Sequence, residues 1–334
     1  MTSTSPHAPL FFDGPASLAM LAALLRPAVP SPTRRTFNLP SAPSRRADVD
    51  AGVARAEELL GVSLTRPVGL LTAASRRPRS TADHCFSVCS LPLTRDAFLP
   101  IGEGLYICSP PFAYLRTLVQ GASDVEALLL GFELCGTYRT LGPSDATSYD
   151  EPALASVREL RSFVARNRSL NGAAKTMRII DHLSDGSASP RETQLALLLG
   201  LPCSRGGGGL GMPQMNREVA ASRQAQLMSG RRSFRCDLSW PNSRLAVEYQ
   251  SREVHGNEAS RIDDSRRANA LKLMNWDVFW VANEALNSSL DMSGIIETLR
   301  RRLGRDPRIR VRDYRERMLA LRLSLGLPID SWLH

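Results

Sequence analysis

Two runs decide the fold: FRCDLSWPNSRLAVEYQSREVHG at 234–256 and DDSRRANALKLMNWDVFWV at 263–281. The first reads as a strand over Phe234–Trp240, a tight turn at Pro241-Asn242 and a second strand over Leu245–Tyr249. The second lies in a long helix, Asn257–Met274, and a short apolar strand, Asp277–Val281. A hairpin, a helix and a returning strand predict a small mixed α/β sheet with helices on its faces. Glu248 and Gln250 are two residues apart, so they share one face of their strand. The short hairpin brings Asp237 beside Glu248, with Gln250 on the same side and Glu192 approaching from a preceding helix. Converging carboxylates make a hard-oxygen site of the kind Mg²⁺ prefers, and Mg²⁺ or Mn²⁺ is the cofactor expected at Asp237 and Glu248. Such an ion polarises a phosphodiester and acidifies an attacking water. The competing readings are simple solvated edge carboxylates, or carboxylates paired with Arg235 and Arg244.

Asp237-x10-Glu248-x-Gln250 resembles the PD-(D/E)xK signature of restriction-endonuclease-like nucleases. The ordered run around it is similar to the very-short-patch-repair endonucleases and to a large bacterial family related to them. In that group a D…E hairpin is followed by a His, here His255, and by a helix opening with Asp and Arg, here Asp264 and Arg267. A Gly/Asn-Trp-x-Val strand comes next, here Asn275-Trp276-Asp277-Val278. SPRETQLALLLGLP at 189–202 resembles their first helix, whose Glu can act as an outer-sphere metal ligand and corresponds to Glu192. The resemblance spans residues 187–285 and implies a restriction-endonuclease-like domain that cleaves DNA. It implies Asp237 and Glu248 as metal ligands, Gln250 positioning water, and Glu192 and His255 assisting. The motif's Lys is Gln250 here; a neutral amide positions water but supplies no charge to the scissile phosphate. That departure favours a second reading, a non-catalytic DNA-binding or antitoxin-like regulator that keeps the nuclease scaffold and takes a toxin or other protein as partner.

Charge fits a polyanionic partner. Lys and Arg total 42 against 33 acidic residues, a net +9 over 334 residues. All but Lys175 and Lys272 of those cations are Arg, an imbalance that also has the look of codon bias. Arg235, Arg261, Arg266 and Arg267 around the hairpin, and Arg300, Arg301 and Arg302 at the head of a tail holding nine Arg between 300 and 317, are the candidate phosphate contacts. An ordinary solvated helix face is the alternative for the tail. Trp276, Phe279 and Trp280 read as core packing rather than base-stacking surfaces. The six Cys form no CxxC pair and no zinc-finger spacing, so free thiols in a cytoplasmic protein are expected. No apolar run reaches the ~18 residues of a membrane span.

The rest of the chain organises around this domain. Residues 1–47 read as a helix and a Pro-rich linker, 48–150 as a mainly helical α+β domain, 151–186 as connecting helices, and 286–334 as an Arg-rich helical tail. Strands are expected at Val68–Thr72, Phe86–Leu91 and Leu105–Cys108, and Asp124 as the cap of a helix over Val125–Cys135. Gly206–Gly209 lacks the Lys-Ser/Thr of a phosphate loop and reads as a flexible loop. Residues 84–118, ending GLYICSPPFAYLRTL, resemble the middle region of AbiEi-type antitoxins, although residues 1–60 show no clear winged-helix start. No catalytic set is evident in that half.

Overall fold

The computed structural model describes residues 8–24, 30–73, 79–141, 146–251 and 258–329, with side chains from 265 onward in the last stretch. The protein is a mixed α/β chain with several small sheets and, among the described residues, twelve α-helices. It divides into two compact units, residues 1–181 and 182–334.

In the first unit the elements are β1 (Leu10–Phe12), α1 (Gly14–Ala23), β2 (Thr36–Phe37), α2 (Arg46–Leu60), β3 (Val68–Thr72), β4 (His84–Val88), β5 (Leu93–Thr94), β6 (Phe98–Gly102) and β7 (Leu105–Cys108). They continue with α3 (Pro110–Val119), α4 (Asp124–Leu134), β8 (Tyr138–Arg139), β9 (Ser148–Tyr149), α5 (Val157–Arg166) and α6 (Ala173–Ile180). Five strands form one sheet in the order β4-β3-β1-β7-β6. Rings from β1, β2, β6, α3 and α5 (Phe11, Phe37, Phe98, Phe112 and Phe163) pack edge-on or tilted through its core. Asp13, fully buried just after β1, accepts bonds from Arg116 of α3 at 2.6–3.2 Å and from Gln120 at 2.9 Å. That pair ties the first strand to a helix about a hundred residues on. Ser123, not Asp124, caps α4, because its hydroxyl accepts the Glu126 N–H while Glu126 returns the bond to the Ser123 N–H. The strand expected at Phe86–Leu91 starts two residues earlier and stops at Val88.

The second unit contains α7 (Pro190–Gly200), β10 (Gln214–Ala220), α8 (Arg223–Ser229), β11 (Ser233–Trp240), β12 (Leu245–Gln250), α9 (Glu258–Leu273) and β13 (Asp277–Ala282). Three helices follow: α10 (Asn283–Asn287), α11 (Ser289–Arg302) and α12 (Tyr314–Ser324). The sheet order is β10-β11-β12-β13; the first two pairings are antiparallel and β12–β13 is parallel, with α9 as the crossover. Helix α7 starts at the expected Ser189 cap and is buried on every side from Leu195 to Gly200, so it serves as a core element. A separate cluster joins Ala225 of α8 and Ala270 and Leu271 of α9 to Phe234, Cys236, Ala246 and Trp276.

The Gly-rich run corrects the flexible-loop expectation. Gly206, Gly207 and Gly208 are buried, and the Gly208, Gly209 and Leu210 N–H groups donate to carbonyls of Leu198, Leu201 and Leu199 at the end of α7. A Cβ at Gly207 would sit 2.3 Å from the Leu201 carbonyl oxygen, and one at Gly206 2.3 Å from that of Arg317. Glycine is required here by close backbone approach, and φ of +86° at Gly206 adds a left-handed turn.

Candidate active site

Strands β11 and β12 are joined by the tight turn Pro241–Ser243, which closes on Arg244 at φ +49°. Their ladder has three pairs: Trp240–Leu245, Ser239–Ala246 and Leu238–Val247. The next step would pair Asp237 with Glu248, and there the ladder ends. Each carboxylate bonds into the other strand's backbone instead. The Tyr249 N–H donates to Asp237 Oδ2 at 2.9 Å, and the Asp237 N–H donates to the Glu248 carboxylate. Beyond this point β11 stays paired with β10 back to Ser233, and β12 with β13 out to Gln250. The two central strands of the sheet therefore part at the two acids.

Electrostatics here are strained. Glu248 is only 3% exposed, and burial followed by the nearby Asp237 charge pushes its pKa up. Burial likewise pushes Asp237 up, against the pull of the Tyr249 N–H and of Arg267 and Arg235. Relief comes from Arg267 of α9, whose Nη2 lies 2.7 Å from Glu248 Oε1 and also donates to the Arg235 carbonyl. Removing one partner of so buried a pair typically costs about 3–5 kcal/mol. The Cys236 thiol, pushed up to about 12 by burial and by Glu248, stays protonated and is no nucleophile.

Glu192 is nearly buried at the start of α7. Its Oε2 accepts from the Ala188 N–H at 3.1 Å and from Asn216 Nδ2 at 2.6 Å, and Oε1 accepts from Ser189 Oγ at 3.1 Å. Burial, then Asp237, raises its pKa. Asn216 in turn accepts from Arg235 Nε at 2.8 Å. Sequence reading missed Asn216. It occupies β10 opposite Asp237, between the ladder pairs Met215–Leu238 and Arg217–Cys236, at φ +47°. Asn tolerates this left-handed geometry better than other non-Gly residues, but a single Asn in a strand gives no signal of it. Tyr249 was missed too; it contributes its N–H to Asp237, and its hydroxyl donates to Asn283 Oδ1 at 2.9 Å.

Gln250 is exposed at the end of β12, on Glu248's side by strand alternation. His255 and the side chains of Arg261 and Asp264 lie outside the described residues. Arg266 is exposed, as is Arg235. In the tail, Arg300 donates to the Asp306 carbonyl at 2.7 Å and to the Gly208 carbonyl at 2.8 Å. Arg301 pairs with Glu297 and Arg302 with Asp277 at the surface. Trp276 is buried as expected of core, whereas Trp280 is 40% exposed. The reason is positional: Trp280 sits on edge strand β13 opposite Glu248, covered by Arg267, whose guanidinium lies 5.8 Å from the ring centroid.

Among the described residues no group of three or more His, Cys, Asp and Glu side chains is gathered to hold a metal ion. Mg²⁺ does not need one, since it commonly takes one or two carboxylates and completes its shell with water and phosphate. The donor chemistry at Asp237 and Glu248 fits it: two hard anionic groups short of counter-charge, with Asp237 Oδ1 accepting no hydrogen bond among the described residues. Compared with known proteins, the chain matches no family model, no curated protein and no solved structure.

Proposed function

We propose that the second unit is a divalent-metal-dependent phosphodiesterase acting on DNA, an endonuclease of the restriction-endonuclease-like class with a role in repair or defence. The observation that carries this reading is the meeting of Asp237 and Glu248 where β11 and β12 part, Glu248 buried, Asp237 half-buried and both pushed toward protonation. The element series supports it: a helix bearing Glu192, a hairpin bearing the two acids, then α9 and the Asn-Trp-x-Val strand. Asp237 and Glu248 would hold Mg²⁺ or Mn²⁺, which when bound acidifies a water and polarises the phosphodiester. Gln250, at the solvent end of β12, orients the water. Glu192 fixes Asn216 and through it Arg235 beside Asp237. His255 keeps the proton-relay role that its place in the resemblance gives it. In hydrolysis the water oxygen bonds to phosphorus, the P–O ester bond breaks, and the leaving oxygen takes a proton.

A second reading, a non-catalytic DNA-binding or antitoxin-like regulator, is favoured by two observations: Gln250 at the motif's Lys position, and Arg267 seated on Glu248. The full-length protein incubated with plasmid in Mg²⁺ or Mn²⁺ should nick or cut it, and EDTA should stop the reaction. Tight DNA binding with no cleavage of plasmid, single strand or mismatched duplex in either metal would hand the protein to the second reading.

A further inference from the structure

We infer that Arg267 supplies at this site the positive charge that the motif leaves to neutral Gln250, its unbonded edge contacting the scissile phosphate. The inference rests on the nuclease reading above and assigns that site its catalytic cation. Glu192, Asp237 and Glu248 gather three carboxyl groups around the proposed site, and position 250 adds no cation to them. Arg235 lies beside Asp237 but is exposed; among the described residues Arg267 is the guanidinium bonded to one of the acids, with its side chain 13% exposed. It is held at three points: the Glu248 carboxylate, the Arg235 carbonyl and the Trp280 ring. Both described hydrogen bonds use Nη2 alone. A guanidinium carries five N–H donors, so the three on Nε and Nη1 have no acceptor among the described residues. The ring beneath the guanidinium is 40% exposed, so Arg267 lies between the Glu248 carboxylate and a solvent-facing ring. A cation fixed this way needs no reorganisation when charge builds on the phosphate oxygens, the condition under which such donors contribute most. A purely structural arginine, neutralising Glu248 and nothing more, is the alternative.

The test compares full-length wild type with Arg267→Met, Arg267→Lys and the double variant Arg267→Met with Gln250→Lys. It reads steady-state cleavage of labelled duplex DNA, Mg²⁺ affinity by calorimetry and melting temperature. Arg267→Met should lower kcat about 10²–10³-fold while KM stays within about threefold, since affinity comes from many phosphate contacts. Its Mg²⁺ affinity should hold or rise, because a competing cation has left Glu248. Arg267→Lys should keep kcat within about tenfold, and Gln250→Lys in the Met background should recover at least about tenfold. If Arg267→Met does not fold, Arg267→Gln, which can still donate to Glu248, takes its place under the same criteria. Cleavage by the uncharged variant at the wild-type rate would overturn the inference and leave the nuclease reading standing. So would a fall in Mg²⁺ affinity and melting temperature with no recovery from Gln250→Lys. A wild type that never cuts would remove the nuclease reading and this inference together.

Discussion

At Asp237 and Glu248, burial and charge pull in opposite directions. A carboxylate buried beside another carboxylate is destabilising as an ion, and the fold tolerates it through two backbone N–H bonds and one arginine. The sign of the pH dependence follows. Asp237 is pushed above its ordinary 3.8 when folded, so the unfolded chain loses this proton first as pH rises. The stability it contributes is complete below about pH 4 and is lost as pH climbs through the raised folded value. Asp237→Asn keeps an acceptor for the Tyr249 N–H and removes the charge. It should melt about 2–4 °C above wild type at pH 7–8, the shift that ~1 kcal/mol produces at this domain size, and the gap should close toward pH 4. A lower melting point at pH 7 would show that the charge is stabilising. At this scale the acids themselves were legible, because strand period and hairpin length fix which residues meet. Asn216 was not, since its role depends on a left-handed backbone and a neighbouring strand some twenty residues away.

Among the elements, α7 and the Gly-rich run after it show what a sequence conceals. The Ser189-Pro190-x-Glu192 start was readable, and the hydroxyl bonds the Glu192 N–H as that pattern requires. Four glycines in a row signalled only a lack of side chains. The structure uses that lack to press backbone against backbone, a long-range fact without a local signature. Gly207→Ala should therefore lower the urea midpoint by the equivalent of about 1–3 kcal/mol at unchanged m. Gly294→Ala, in α11 with nothing within 4 Å of the added Cβ, should raise it by roughly 0.5–1 kcal/mol through helix propensity. Equal effects from the two would refute the packed-loop account. Trp280 makes the opposite case: its apolar pattern reads as core, but an edge strand leaves one side open.

Over the whole molecule, the count of 42 cations overstates the number free to meet a polyanion. Arg116 is committed to Asp13, Arg139 to the carbonyls of Glu133 and Tyr138 among others, Arg166 to Asp96, and Arg300 to those of Gly208 and Asp306. Arg301 and Arg302 are different, since their surface pairs are weak and can exchange for phosphate. Replacing both with Ala should reduce the salt slope of duplex-DNA binding by roughly 1–2 units, whereas an unchanged slope would make them an ordinary solvated face. Among the described residues no helix is long and apolar enough to cross a membrane. Whether Asp237 and Glu248 form the proposed hydrolytic centre is decided by the plasmid-nicking rate of Asp237→Ala against wild type in Mn²⁺. Wild type should nick in a metal-dependent way and the variant should lose at least about 10³-fold, the factor ~4 kcal/mol represents, with DNA affinity changed less than about threefold. Nicking that survives Asp237→Ala, or a wild type that binds DNA and never nicks it, would rule out that centre.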